Sequence, residues 1–137
     1  MTGNVFRSIN RPIDRVESVD STFATLNHSK ARNLVVQGNT FNAISEPIYN
    51  PCILEHSQAS DTQTWTVDFA PSLPFNGRAR TVEAVVPVGA IQSGSANIYE
   101  LPHSQAEQGG SGSQVKLNWS RACRGSVNLT ARMDNPT

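Results

Sequence analysis

Residues 3–13 read GNVFRSINRPI, and residues 38–48 read GNTFNAISEPI. The two stretches align without a gap, 35 positions apart, and six of the eleven residues are identical. Such an internal repeat is typical of solenoids, in which each copy forms one layer that stacks on the next. Proline, glycine, asparagine and serine in the copies disfavour a helical repeat. The repeat therefore predicts two coils of a right-handed parallel β-helix.

A stack in this register predicts which apolar side chains meet inside the solenoid. Equivalent side chains are expected to point inward, one strand spacing of about 4.8 Å apart. The expected pairs are Phe6 with Phe41, Ile9 with Ile44, and Ile13 with Ile48.

Polar positions of the repeat predict contacts on the outside of the stack. Asn4 and Asn39 follow the bend glycines and are expected to bond to each other as a short amide ladder. Arg11 and Glu46 are also equivalent, so they are expected to form an exposed ion pair rather than to supply a catalytic acid. The repeat is longer than one plain coil, and its polar residues 14–30 predict a side loop with a short strand at residues 22–26.

The second half of the chain shows plain alternation of apolar and polar residues, which is typical of half-buried strands. Residues 55–62 are expected to be a polar connection, and residues 107–114 a flexible glycine-rich loop. No segment shows a helical period. The inward-facing positions are expected to be Trp65, Val67 and Phe69; Val82, Ala84 and Val86; Val115, Leu117 and Trp119; and Val127, Leu129, Ala131 and Met133, with a weaker strand over residues 96–101.

The fold class predicted from these patterns is all-β. Residues 1–60 are expected to form the last coils of the β-helix. Residues 61–137 are expected to form a small antiparallel β-sandwich that caps the last coil and joins subunits. A module of this size buries a modest share of its surface, which favours self-association.

The run WTVDFAPSLPFNGRAR at residues 65–80, preceded by two β-helical coils, resembles the C-terminal end of bacteriophage tailspikes. The resemblance implies a homotrimer on the virion tail, made in the host cytoplasm. It also implies a parent protein that binds and degrades a bacterial surface polysaccharide, as a hydrolase or a lyase. No motif matches the catalytic carboxylates of that family, so no catalytic residue is assigned and this chain alone is not expected to be catalytic.

Candidate sugar contacts lie in the side loop and just after the second coil. Glu17, Asp20 and His28 are placed in the loop, and Tyr49 follows the second copy of the repeat. Trp65 and Trp119 lie on the apolar sides of their strands, so core packing is favoured over sugar stacking. Arg78 and Arg80 are expected to pair with Asp68 or Glu83, within the chain or across a subunit interface.

Composition bounds the partners. Eleven basic residues balance eleven acidic residues, which argues against a nucleic-acid partner. Apolar runs are short, so membrane insertion is not expected. Isolated histidines give no metal site, no cofactor is expected, and Cys52 and Cys123 are interpreted as free thiols, with a disulfide left open.

Two other functions fit the same patterns. One is the tail segment of a bacterial β-helix polysaccharide lyase or epimerase. The other is a carbohydrate-binding module that uses Trp65, Tyr49 or Trp119.

Overall fold

The computed structural model describes residues 1–135, apart from the side chains of His28 and Asn76. The chain is all-β, as predicted, and within residues 1–135 its helical parts are one short 3₁₀ turn and one short helix. In chain order the elements are β1 (Val5–Arg7), a 3₁₀ turn (His28–Lys30), β2 (Thr40–Asn42), β3 (Cys52–Asp68), α1 (Pro74–Gly77), β4 (Thr81–Ser93), β5 (Ala96–Ile98), β6 (His103–Gln108) and β7 (Gln114–Arg132).

Strand β7 is the centre of the antiparallel sheet. Strand β3 pairs with β7 along one edge, from Asp68 opposite Gln114 to Cys52 opposite Ala131. On the other edge, β6 pairs with the first part of β7 and β4 pairs with its last part. Strand β5 extends the sheet beyond β4. These strands form one hydrogen-bonded sheet, so the expected division into two sandwiched sheets is wrong.

The polar segment 55–62 is part of strand β3, and its interpretation as a connection is wrong. Its polar side chains are compatible with a strand because they find cross-strand partners, such as the Ser57 and Ser126 hydroxyls at 2.7 Å. The expected boundary between residues 60 and 61 therefore falls inside a continuous strand.

Alternation correctly predicted the buried faces of β3 and β7. Trp65 and Trp119 pack with ring centroids 4.8 Å apart, which confirms their place in the core. Most of the predicted inward positions are fully buried: Trp65, Val67, Phe69, Val115, Leu117, Trp119, Val127, Leu129, Ala131 and Met133.

Strand β4 departs from the predicted alternation. A register irregularity lies between Val82, opposite Ala131, and Ala84, opposite Thr130. One extra residue in a strand turns the following side chains to the other face. Val82 and Val85 consequently pack against the core, while Val86 is exposed. The prediction of an inward-facing set of Val82, Ala84 and Val86 is therefore wrong for Val86.

The two copies of the repeat begin as predicted. Strands β1 and β2 pair in parallel with Phe6 opposite Phe41, and the two rings stack at 5.4 Å. The Asn39 side-chain oxygen accepts hydrogen bonds from the backbone and side-chain nitrogens of Asn4, at 2.9 and 3.2 Å. The asparagine ladder is therefore confirmed.

The register changes after Arg7, and two of the predicted stacking pairs are wrong. Ile13 pairs with Ile44 instead of Ile48, and Ile9 is 88% exposed. The amides of Ser8 and Ile13 donate to the successive carbonyls of Asn42 and Ala43, so residues 9–12 loop out of the stack.

The same displacement overturns the predicted pair of Arg11 with Glu46. Arg15, four residues further on, takes the place of Arg11 and lies 3.0 Å from the Glu46 carboxylate. The side loop over residues 14–30 contains the 3₁₀ turn, and the short strand predicted at residues 22–26 is wrong.

A buried polar network attaches residues 34–50 to the antiparallel sheet. The Asp134 carboxylate accepts hydrogen bonds from the Asn50 side chain at 2.8 Å, the Leu34 amide at 2.7 Å and the Arg132 guanidinium at 2.9 Å. Asn50 also donates to the Leu34 carbonyl and accepts from the Met133 amide. Residues 34–50 and the end of β7 are thereby fixed together in a single folded unit.

Candidate functional site

Glu17, predicted as a sugar contact, is an internal structural residue. Its side chain is 12% exposed, and one carboxylate oxygen accepts from the Arg15 guanidinium at 2.5 Å and from the Phe75 amide at 3.2 Å. Arg15 also donates to the Leu73 carbonyl at 2.7 Å. This arginine therefore links the side loop to the segment before α1, and Glu17 serves that link.

The other predicted sugar contacts lie in separate local environments. Asp20 is exposed and accepts from the Thr22 hydroxyl and amide, and these two hydrogen bonds lower the pKa of its carboxyl. Tyr49 packs edge-on against Phe41, with centroids 5.9 Å apart, and borders a shallow cavity of about 220 Å³. The backbone of His28 lies in the 3₁₀ turn, and its side chain lies outside the described residues. No hydrogen bond within the described side chains joins Glu17, Asp20 and Tyr49.

A polar cavity of about 400 Å³ lies between the side loop and the start of β4. It is lined by Thr25, Leu26, Asn27, Ser29, Arg78 and Arg80. The loop that the sequence assigned to sugar contact thus borders a cavity, through residues that were not among the predicted sugar contacts. The Arg-Ala-Arg alternation around buried Ala79 was the available signal, because it places both arginines on one side of the chain.

Glu107 holds the two arginines in place. Its carboxylate lies 3.1 Å from Arg78 and 3.3 Å from Arg80, which replaces the predicted pairing with Asp68 or Glu83. Glu107 has a positive φ of 54° and sits at an irregularity of β6 between Gln105 and Gln108. A bulge of this kind redirects a side chain out of the alternating pattern.

A second cavity is apolar: a groove of about 230 Å³ lies along the outer part of β4 and β5. Its lining includes Pro87, Ile98, Tyr99 and Leu101. Tyr99 is 92% exposed and Leu101 is 69% exposed. The five successive residues from Val86 to Ala90 are also exposed, so this part of β4 lies outside the buried core.

The cysteines are separate, buried thiols. Cys52 pairs with Ala131 of β7, eight positions from Cys123, which corresponds to about 27 Å of extended strand. Both are free, and burial raises the pKa of each thiol to about 11. At neutral pH they are therefore protonated and poorly nucleophilic.

Within residues 1–135, no group of three His, Cys, Asp or Glu side chains is placed to hold a metal ion. No described helix has the length and apolar character needed to span a bilayer.

Comparison with known proteins gives no relative. No family model, curated protein or solved structure matches this chain.

Proposed function

We propose that this chain is the C-terminal capping and assembly region of a trimeric, tailspike-like β-helical protein whose parent binds and degrades a bacterial surface polysaccharide. The observation that carries the proposal is the parallel, ring-stacked pairing of β1 with β2 beside an antiparallel sheet. The virion tail is the proposed location, and the catalytic step of the parent is assigned to none of the residues in this chain.

The coil edges support a capping role. Strand β1 pairs with β2, and within the described residues neither strand has a second strand partner. A free parallel edge is a surface on which a preceding coil stacks, and the Asn4 side chain is placed to continue the asparagine ladder. The network of Asn50 and Asp134 joins the second coil to the antiparallel sheet, which supports a capping role for that sheet.

Exposed apolar surface supports self-association. Large exposed apolar side chains lie on β4 and after β5, at Val86, Val88, Tyr99 and Leu101. Large apolar side chains clustered on an exposed part of a sheet favour a protein partner. Three-fold order is what the tailspike resemblance implies for that partner, a second and third copy of this chain.

Glycan binding by this chain itself is the second candidate function. The polar cavity beside Arg78 and Arg80 favours it, because hydroxyl, amide and guanidinium groups are the usual polar contacts of a sugar site. Trp65 and Trp119 take no part, since both are buried in the core. The third alternative, the tail of a polysaccharide lyase or epimerase, requires no self-association.

Substitution of the groove residues tests the assembly role. Tyr99→Ser combined with Leu101→Ser is expected to convert trimer to monomer in light scattering, because it removes the exposed apolar contact. Phe23→Ser is the matched control, since Phe23 is 96% exposed but lies in the side loop. Unchanged mass in the double variant, or equal loss of trimer in the control, would contradict the assignment of this surface.

A further inference from the structure

The arginine pair at the polar cavity lies between α1 and β4, on backbone that is hydrogen-bonded to neighbouring segments. The Ala79 carbonyl accepts from the Glu107 amide at 2.7 Å, and the Ala79 amide donates to the Gly112 carbonyl at 2.8 Å. The Arg80 amide donates to the Arg132 carbonyl at 2.8 Å. The backbone between Arg78 and Arg80 is thus fixed from both sides, and the two guanidinium groups are anchored on one carboxylate.

Part of each guanidinium remains available for a ligand. Arg78 bonds Glu107 through Nε, and Arg80 bonds Asn135 through Nε and Glu107 through Nη1. Within the described side chains, both terminal nitrogens of Arg78 and Nη2 of Arg80 have no hydrogen-bond partner. Two guanidinium groups against one carboxylate leave a local charge of about +1, and adjacent guanidinium nitrogens fit a carboxylate in a bidentate manner.

The opposite wall of the cavity offers contacts for a sugar ring. Thr25 and Ser29 supply hydroxyl groups, and Asn27 supplies an amide. The Asn27 oxygen is occupied by the Ser29 amide at 3.0 Å and hydroxyl at 2.6 Å, so its NH₂ group is the free end. Leu26, partly exposed at the same wall, provides an apolar patch for ring C–H groups.

The backbone conformation of Glu107 supports a binding role for the pair Arg78 and Arg80. A left-handed conformation is unfavourable for a residue with a Cβ, and such residues cluster at binding sites. Here the conformation directs the carboxylate to both arginines instead of along the regular strand face. Gly112, at φ +72°, lets its backbone lie against the Arg78 side chain, which a Cβ would meet at 3.3 Å.

We infer that this cavity binds the carboxylate-bearing sugar of an acidic polysaccharide, with Arg78 and Arg80 holding the carboxylate and Asn27, Ser29 and Thr25 contacting ring hydroxyls. The inference rests on the proposed polysaccharide role for the class of ligand. It is independent of the number of subunits.

Titration of the intact chain with trigalacturonate tests the site. Calorimetry is expected to give saturable binding, and NMR signals of the Arg78 and Arg80 guanidinium groups are expected to shift. Neutral galactotriose should leave those signals in place. No saturable binding of trigalacturonate, or equal affinity for inorganic phosphate, would overturn the inference of an acidic-sugar site.

Two variants and one control make the test specific. Arg78→Gln is expected to weaken binding about tenfold or more by removing the bidentate donor. Asn27→Asp retains the oxygens that accept from Ser29 but adds a negative charge beside the ligand, so it should weaken binding similarly even if Arg78→Gln fails to fold. Arg121→Gln removes an exposed charge on β7 and should leave affinity unchanged. Equal weakening in this control would mean that the affinity for trigalacturonate depends only on the overall charge of the chain, and it would overturn the inference.

Light scattering of the same samples separates this inference from the proposed function. A trimer that does not bind trigalacturonate would contradict the acidic-sugar site alone. A monomer that binds it would contradict the assembly role alone.

Discussion

Asp134 is the residue on which the attachment of the two halves depends most. It is fully buried, and its partners Leu34 and Asn50 lie 100 and 84 positions away in the chain. Burial raises the pKa of its carboxyl, but hydrogen bonds from Arg132, Asn50 and the Leu34 amide outweigh this and lower the pKa below its usual value. The sequence offered no signal for this network, because its partners come together only after the coils and sheet have formed.

Asp134→Asn is expected to lower the free energy of unfolding by about 3 kcal/mol at pH 7, since it removes the nearer charged partner of the half-buried Arg132 guanidinium, which keeps Glu83 at 3.4 Å. The lowered pKa means that the contribution of Asp134 is present above about pH 4 and is lost as pH falls through its folded-state pKa. Chemical denaturation of wild type and variant should therefore give free energies of unfolding whose difference shrinks as pH falls below about 4.

Asp20→Asn is the control for the Asp134 substitution. Asp20 is an exposed carboxylate whose hydrogen-bond partner Thr22 is local. Its replacement is expected to change stability by less than about 0.5 kcal/mol. Equal effects of the two substitutions would contradict the role assigned to the buried network.

At the scale of elements, local patterns predicted what depends on local geometry. Alternation placed the buried faces of β3 and β7 correctly because strand side chains alternate wherever pairing is regular. It failed along β4, where the irregularity after Val82 reverses the faces, and at residues 55–62, where polarity alone suggested a connection. Bulges and cross-strand partners depend on the neighbouring strand, so a single sequence does not reveal them.

The repeat was likewise predictable only where the structure follows from local geometry. It predicted the stack of Phe6 on Phe41, which lies within a paired strand, but not the loop over residues 9–12. The length of that loop is set by hydrogen bonds to β2 and the residue after it, and not by the residues that the two copies share. Likewise, the side loop predicted to contact sugar borders a cavity, but the arginines across from it are about fifty residues away in sequence and were assigned other partners.

Phe6→Ala and Ile9→Ala distinguish the observed stack from a gapless one. Phe6 is partly buried against Phe41, so its truncation is expected to lower the free energy of unfolding by about 1–2 kcal/mol. Ile9→Ala should change it by less than about 0.5 kcal/mol, because Ile9 is exposed. Thermal or chemical denaturation of the two variants is the measurement, and a larger loss in Ile9→Ala would restore the gapless register.

At the scale of the whole molecule, the chain joins two kinds of pairing in one folded unit. The parallel pair of β1 and β2 has a free edge at β1, and an exposed apolar groove lies beside β5 on the antiparallel sheet. The Asn50 and Asp134 network connects residues 34–50 to the sheet, so removing residues 65–137 would also remove the partners of that segment. Surface substitutions on the intact chain are therefore the appropriate tests of assembly.

Sedimentation equilibrium of the intact chain over a wide concentration range tests the assembly claim most directly. A trimeric cap predicts a mass three times the 14.8 kDa of one chain, maintained on dilution through the micromolar range. A single species of 14.8 kDa at every concentration would contradict the account.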